Sequence, residues 1–98
     1  MGPLVELFDQ HDAPYHEWRH ANSAGWVVNT RRHHDASYVV LHRATCRSIG
    51  SAARANHPDP FTGGSYVKIC STDREALSRW LMAHGFGDIS HGCGLCAP

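Results

Sequence analysis

Lysine is almost absent from this sequence: eight of the nine basic residues are arginine, and only Lys68 is lysine. Excess positive charge is also lacking, because nine acidic residues bring the formal net charge to zero. A protein that binds nucleic acid constitutively and without specificity normally carries surplus Lys and Arg, so this class is disfavoured. Arginine suits planar, bidentate contact with phosphate or carboxylate, but a GC-rich genome would favour arginine codons equally well.

Long apolar runs are lacking too, and no segment approaches the length needed to cross a bilayer. The first residues have neither the basic stretch nor the apolar run of a secretory signal, so we expect a cytoplasmic protein without membrane contact. Cytosolic thiols stay reduced, and four cysteines there indicate metal binding or chemistry more often than disulfides.

A chain of 98 residues allows one domain, and a core of this size often needs a metal or a disulfide for stability. We predict a single zinc-binding domain over residues 1–98. Residues 1–36 would supply an N-terminal helix and the first strand, and residues 37–98 would form the zinc-binding part.

The pattern of apolar residues predicts an α+β fold: a small three-stranded antiparallel sheet with two to three helices, cross-linked by one zinc ion. Strands are predicted at 26–30, 37–42 and 65–70, the first two as a hairpin, with a breaker-rich loop at 56–64. Helices are predicted at 3–10, from Asp12 as a cap, and after Thr72, where Glu75 completes a capping box.

The segment from His91 to Pro98 contains two glycines and the pair Cys93 and Cys96. Two thiolates at this CxxC spacing can bind one tetrahedral metal ion, but the spacing also occurs in thioredoxin-type redox pairs and by chance. A redox pair sits at the start of a helix. We expect no helix after Cys96, and the pattern therefore favours a zinc half-site.

A zinc half-site needs two further ligands, and His42 and Cys46 form an HxxxC pair at the end of a predicted strand. Cys70 is the alternative ligand, since with Cys46 and the CxxC it would complete an all-cysteine site. We favour His42 because Cys70 closes a strand before a capped helix, where a buried cysteine acts as a small hydrophobic residue. The predicted ligands are His42, Cys46, Cys93 and Cys96, a closed set typical of structural rather than catalytic zinc.

The segments Tyr38 to Cys46 (YVVLHRATC) and Cys93 to Pro98 (CGLCAP), with a predicted helix around Glu75 between them, form the pattern YxxxHxxxC…CxxCxP. This pattern resembles the metal-binding domain of Ada, the bacterial DNA alkylation-repair protein, in which a CxxxC pair precedes a CxxC and a proline. The likeness extends from Tyr38 to Pro98, and the interval between its two halves is longer than is usual in Ada.

In Ada the first cysteine of CxxxC accepts a methyl group from DNA, and the matching residue here is His42. Zinc-bound imidazole is not a thiolate nucleophile, so the resemblance implies the zinc scaffold and contact with nucleic acid, and not methyl transfer. The stretches at 15–18 and 25–29 also resemble a segment found with this module in actinobacterial proteins of unsettled function.

The function that follows from these observations is a structural-zinc module that contacts DNA or another nucleic acid. Five arginines near the hairpin turn and the zinc motif are the candidate contacts: Arg31, Arg32, Arg43, Arg47 and Arg54. A protein-interaction module or regulator that binds a partner protein is the alternative. An alkylation-repair enzyme is a weaker hypothesis, because it needs Cys46 or Cys70 as the acceptor and the sequence shows no phosphate loop or paired carboxylates.

Overall fold

The computed structural model describes residues 4–50 and 59–98. Over these two ranges the chain forms two helices and a five-stranded sheet, and the fold is α+β as predicted. In chain order the elements are β1 (Val5–Phe8), α1 (Asp12–Ala21), β2 (Trp26–Arg31), β3 (Val39–Arg43), a 3-10 turn (Arg47–Ile49), β4 (Tyr66–Ser71), α2 (Arg74–Ala83) and β5 (His91–Gly92). The predicted 56–64 loop lies partly outside the described residues.

The predicted three-stranded antiparallel sheet is wrong, because the sheet has five strands in the order β1-β4-β2-β3-β5 and is mixed. The central strands β4, β2 and β3 are the three predicted ones, and β2 and β3 pair antiparallel as the expected hairpin. The two outer strands were not predicted. β5 is two residues long and runs parallel to β3, and so short a segment has no apolar alternation to detect.

The predicted helix at 3–10 is also wrong, because Val5–Phe8 forms strand β1 at one edge of the sheet. β1 pairs antiparallel with β4, from Val5 opposite Ser71 to Phe8 opposite Lys68. Gln10 has a left-handed φ of 59°, a backbone conformation that would interrupt a helix. Tertiary pairing therefore overrides the local preference of this segment.

The two faces of the sheet build two separate cores. On the α2 face, an apolar cluster is completely or almost completely buried: Val28, Val39, Leu41, Val67, Ile69, Leu77, Leu81 and Phe86. On the opposite face, Tyr15 of α1 packs with Val27, Ile49 and two cysteines, Cys46 and Cys70. The candidate ligands predicted from the sequence lie on or beside this second face.

The N-caps of both helices, His11 and Asp73, lie one residue away from the predicted caps. Asp73, and not Thr72, caps α2, and its carboxylate accepts hydrogen bonds from the amides of Glu75 and Ala76. Asp12 lies in the first turn of α1, where its buried carboxylate accepts the amide of Thr62 at 2.8 Å. Within the described ranges, neither helix is long and apolar enough to cross a membrane.

Candidate metal centre

The end of β3 supplies the first half of the candidate centre. The His42 side chain is buried. It lies on the face of the sheet that carries α1, because its partner across the hairpin, Val27, packs with Tyr15 on that face. The chain then turns sharply, and the amide of Cys46 donates to the carbonyl of Arg43 at 2.9 Å. This turn returns the Cys46 thiol toward the imidazole.

β5 places the second half of the centre beside the first. Its parallel pairing with β3 sets Gly92 opposite Leu41, and the amide of Cys93 extends the pairing by donating to the Leu41 carbonyl at 2.8 Å. In the following turn the Leu95 amide donates to Cys93 Sγ, and the amide of Arg43 at the end of β3 donates to Cys96 Sγ, each at 3.3 Å. The CxxC segment is thus attached to the strand that carries His42.

One ligand atom from each of His42, Cys46, Cys93 and Cys96 lies within 4.8 Å of all the others. The Sγ atoms of Cys46 and Cys93 are 3.9 Å apart. Zinc–sulfur bonds of about 2.3 Å place two thiolates on a tetrahedron about 3.8 Å apart, so this separation suits a shared ion. Three sulfurs and one imidazole nitrogen are a donor set that zinc favours, and the four side chains fit a metal ion.

The protonation states of two of the donors, His42 and Cys93, suit metal binding. Burial, with the charges of Lys68 and His91, lowers the pKa of His42 to about 4, so its imidazole is neutral near neutral pH. Burial alone would raise the pKa of the Cys93 thiol, but hydrogen bonds from the Cys96 and Leu95 amides hold that pKa below its ordinary value. Neutral imidazole and thiolate are the forms that coordinate a metal.

The structure sets the rival ligand Cys70 apart from this group. Cys70 lies in the middle of the sheet, paired with Glu6 on one side and Val27 on the other, and its side chain is completely buried. It is not among the four residues whose ligand atoms converge. Burial raises the pKa of the Cys70 thiol far above its usual range, as for a cysteine that packs as a hydrophobic residue.

Two of the candidate nucleic-acid contacts, Arg31 and Arg43, lie near opposite ends of β2. Arg31 lies at one end of β2 and Arg43 pairs with Trp26 at the other end, about 17 Å away at the usual rise of a strand. Arg31 lies over the rings of Tyr38 and Tyr66, with its guanidinium carbon 5.2 and 5.3 Å from their centroids.

Arg32 and Arg43 make polar contacts within the chain. Arg32 forms an ion pair with Asp9, and Arg43 donates to the carbonyls of Cys96 and Ala97 at 3.1 and 3.2 Å. Arg47 is exposed on the 3-10 turn. Arg54 lies outside the described residues, and the arrangement of the others gives no support to nucleic-acid binding.

Two residues around the centre were missed by the sequence analysis. Arg19 of α1 donates from Nε to the Ala44 carbonyl at 2.9 Å and from Nη2 to the Cys46 carbonyl at 3.5 Å. Ser48 Oγ lies 3.0 Å from Cys46 Sγ and 3.4 Å from His42 Nδ1. A serine two positions after a ligand could have been considered from the sequence, whereas the approach of α1 depends on the fold.

Comparison with protein-family models, with curated proteins and with solved structures finds no match to this chain. The resemblance to Ada therefore depends on the motif residues alone. The structure shows that the four motif residues converge. They form a possible metal site whether or not the chain is related to Ada.

Proposed function

We propose that this protein is a structural zinc module, in which one Zn²⁺ joins the end of β3 to the segment after β5 through His42, Cys46, Cys93 and Cys96. The observation that carries the proposal is the approach of four soft and borderline donor atoms to within 4.8 Å of one another. They come from segments 47 residues apart, counted from Cys46 to Cys93. A metal ion between them would close a long loop of a small fold.

A structural role is favoured over a catalytic one by the donor count. Four protein ligands complete a tetrahedron, while catalytic zinc keeps one position for water or substrate. The amides that donate to sulfur reduce the negative charge on the thiolates and hold them in place, as surrounding hydrogen bonds do in structural centres. Metal binding would then contribute directly to the free energy of folding.

We also propose that residues 1–98 act as one folding unit around this centre. The N-terminal part is joined to the zinc-binding part by β1, which pairs with β4, and by α1. Tyr15 of α1 donates its hydroxyl to the Ile49 carbonyl at 2.8 Å, directly beside the turn that carries Cys46. An N-terminal segment built into the sheet in this way is not expected to be separable.

Native mass spectrometry of the full chain tests the zinc proposal. We expect one Zn²⁺ per chain, its loss on treatment with a strong chelator, and a lower melting temperature of the metal-free chain. Cobalt substitution adds a second measurement, because the visible absorption of Co²⁺ distinguishes tetrahedral coordination by three thiolates from octahedral coordination. A chain that is folded equally well with and without zinc, or that binds none, contradicts the proposal.

His42→Ala and His91→Ala make a matched pair for this experiment. Both histidines line the same cavity of about 360 Å³, but only the His42 ring belongs to the converging group. We expect His42→Ala to weaken zinc binding by at least about tenfold and His91→Ala to leave it nearly unchanged. Equal effects would mean that the histidine ligand is assigned wrongly.

A further inference from the structure

We propose that Cys46 and Cys93 are a site of reversible oxidation, at which a disulfide replaces the metal as the link between β3 and the C-terminal segment. This inference deepens the proposed zinc site and rests on it for the exchange with metal, although the cross-link itself needs only the two thiols. The oxidant belongs to the class of peroxides. The reduced, zinc-binding form is recovered with a dithiol.

The two sulfurs are already close to bonding distance. Their separation is 3.9 Å, and a disulfide requires about 2.05 Å, so each sulfur has to move by only about 1 Å. Small rotations about the Cα–Cβ bonds supply shifts of this size. Cys46 follows β3 and Cys93 follows β5, and these two strands are neighbours in the sheet.

Backbone hydrogen bonds hold this pair together without any help from a metal ion. The Cys93 amide donates to the Leu41 carbonyl at 2.8 Å, and the Cys46 amide donates to the Arg43 carbonyl at 2.9 Å. Both acceptors belong to β3. Arg19 adds a contact to the Cys46 carbonyl from the opposite side. The thiols are therefore expected to stay near each other in the metal-free chain.

The two thiols differ in exposure, which assigns their order of reaction. Cys93 is partly exposed, while the Cys46 side chain belongs to the core and is 4% exposed. The Cys93 sulfur attacks one peroxide oxygen, the O–O bond breaks, and the departing oxygen leaves as water with the thiol proton. Cys46 then attacks the resulting sulfenic acid, and a second water leaves as the S–S bond forms.

The reaction needs no reactant other than the two thiols and the peroxide. Each sulfur gives up one electron as the disulfide forms, and these two electrons reduce the two oxygens of the peroxide to two molecules of water. When the two sulfurs start as zinc-bound thiolates, solvent supplies the two protons and Zn²⁺ is released. His42 and Cys96 alone are too few ligands to retain it tightly.

The cross-link is expected to preserve the fold. It joins residues 47 positions apart and so restricts the unfolded chain in the same way as the proposed metal. A disulfide between Cys93 and Cys96 would close only a small ring inside one segment and would leave β3 unlinked. A chain that keeps its stability after oxidation therefore indicates the disulfide between Cys46 and Cys93, and a chain that loses stability indicates the one between Cys93 and Cys96.

Peptide mapping of the oxidised full chain tests the assignment. The zinc-loaded protein is treated with hydrogen peroxide, released zinc is measured with a chromophoric chelator, and remaining thiols are blocked before tryptic digestion under non-reducing conditions. Trypsin should leave Cys46 in the peptide 44–47 and both C-terminal cysteines in the peptide 80–98. We expect these two peptides to be linked by a disulfide, and we expect the amount of released zinc to rise with the amount of linked peptide.

Two variants identify the C-terminal partner. In Cys96→Ser we expect the link between the two peptides to persist, and in Cys93→Ser we expect it to be lost. A link that persists in Cys93→Ser, or a peptide 80–98 that is lighter by two hydrogens and unlinked, overturns the proposal. Cys70 is expected to remain a free thiol, because it is completely buried.

Thermal melts separate this inference from the zinc proposal. We expect the oxidised, metal-free chain to melt at a higher temperature than the reduced, metal-free chain. No increase would overturn the inference even where zinc binds normally. If the reduced chain binds no zinc, the proposed function fails, and the cross-link between Cys46 and Cys93 is then tested on the metal-free chain alone.

Discussion

At the scale of single residues, the hydroxyl of Ser48 has an important position. It lies 3.0 Å from Cys46 Sγ and 3.4 Å from His42 Nδ1. One arrangement satisfies all three groups: the hydroxyl donates to the thiolate and accepts from Nδ1–H of the imidazole. In that arrangement Nε2 is the nitrogen left for the metal, since the partner of the other ring nitrogen decides the tautomer of a ligand.

Substitution of Ser48 by alanine should therefore weaken the proposed zinc site without removing one of its ligands. We expect zinc affinity to fall by about tenfold or more, the usual effect of losing a hydrogen-bond partner of a ligand. Competition with a chromophoric chelator measures the affinity, and ¹⁵N NMR of His42 reports the tautomer. Thr45→Ala is the control, because Thr45 is exposed on the same turn. Equal affinities of the two variants would assign Ser48 no part in the site.

At the scale of elements, α1 acts as a brace for the turn that carries Cys46. Arg19 donates to two carbonyls of that turn, at Ala44 and Cys46, while Tyr15 donates to Ile49 at its far end. The Arg19 side chain also fits closely against Gly50, since a Cβ at Gly50 would come within 2.4 Å of Arg19 Nη2. The helix thereby reaches the candidate metal centre without contributing one of its four predicted ligands.

Arg19→Ala should loosen this turn. Two carbonyls would lose a charged donor, and we expect a loss of about 1–3 kcal/mol in the free energy of unfolding. Urea denaturation of the zinc-loaded chain measures the change. Arg79→Ala is the control: its side chain is 69% exposed and its ion pair with Glu75 is at the surface, so we expect little effect. A similar loss in both variants would contradict the role given to α1.

At the scale of the whole molecule, a buried polar network joins α1, the sheet and the segment before β4. Lys68 is buried on β4 and donates to Phe61 O at 2.6 Å and to Asn29 Oδ1 at 2.9 Å. Asp12 accepts the amides of Phe61 and Thr62. The only lysine of the chain therefore lies inside the fold, which a count of charges could not indicate.

This burial predicts how stability depends on pH. Burial lowers the pKa of Lys68 from 10.5 to about 8, so between these values the unfolded chain binds one proton more than the folded chain. Stability should consequently rise with pH from about 8 to 10, by at most about 1.4 kcal/mol per pH unit for this proton. Below about 8 lysine is protonated in both states and contributes no slope.

Lys68→Met isolates this contribution, since the variant retains every other titrating group. Urea denaturation of both zinc-saturated proteins between pH 7 and 10 gives the two curves. We expect the difference in stability, wild type minus variant, to increase with pH above about 8. A constant difference would show that Lys68 keeps its ordinary pKa in the folded chain.

The sequence by itself determined those features that depend on neighbouring residues. Runs of β-branched and aromatic residues were sufficient for β2, β3 and β4, and caps and breakers placed α1 and α2 to within a few positions. The spacing of possible ligands indicated His42, Cys46 and the CxxC. Each of these signals is local, because it depends on the types of neighbouring residues, on a helix cap or on the spacing of two ligands along the chain.

Only the tertiary structure decided what depends on residues far apart in the chain. β1 and β5 are strands because β4 and β3 offer unpaired edges, and their own sequences are too short to show a period. The contacts of three predicted arginines also depend on the fold. It places the Tyr38 ring next to Arg31, the Asp9 carboxylate next to Arg32 and the Cys96 carbonyl next to Arg43. The approach of the four possible ligand atoms also depends on the tertiary structure. The pairing of β5 with β3 sets the distance between β3 and the C-terminal segment, and the spacing of the ligands along the chain cannot set it.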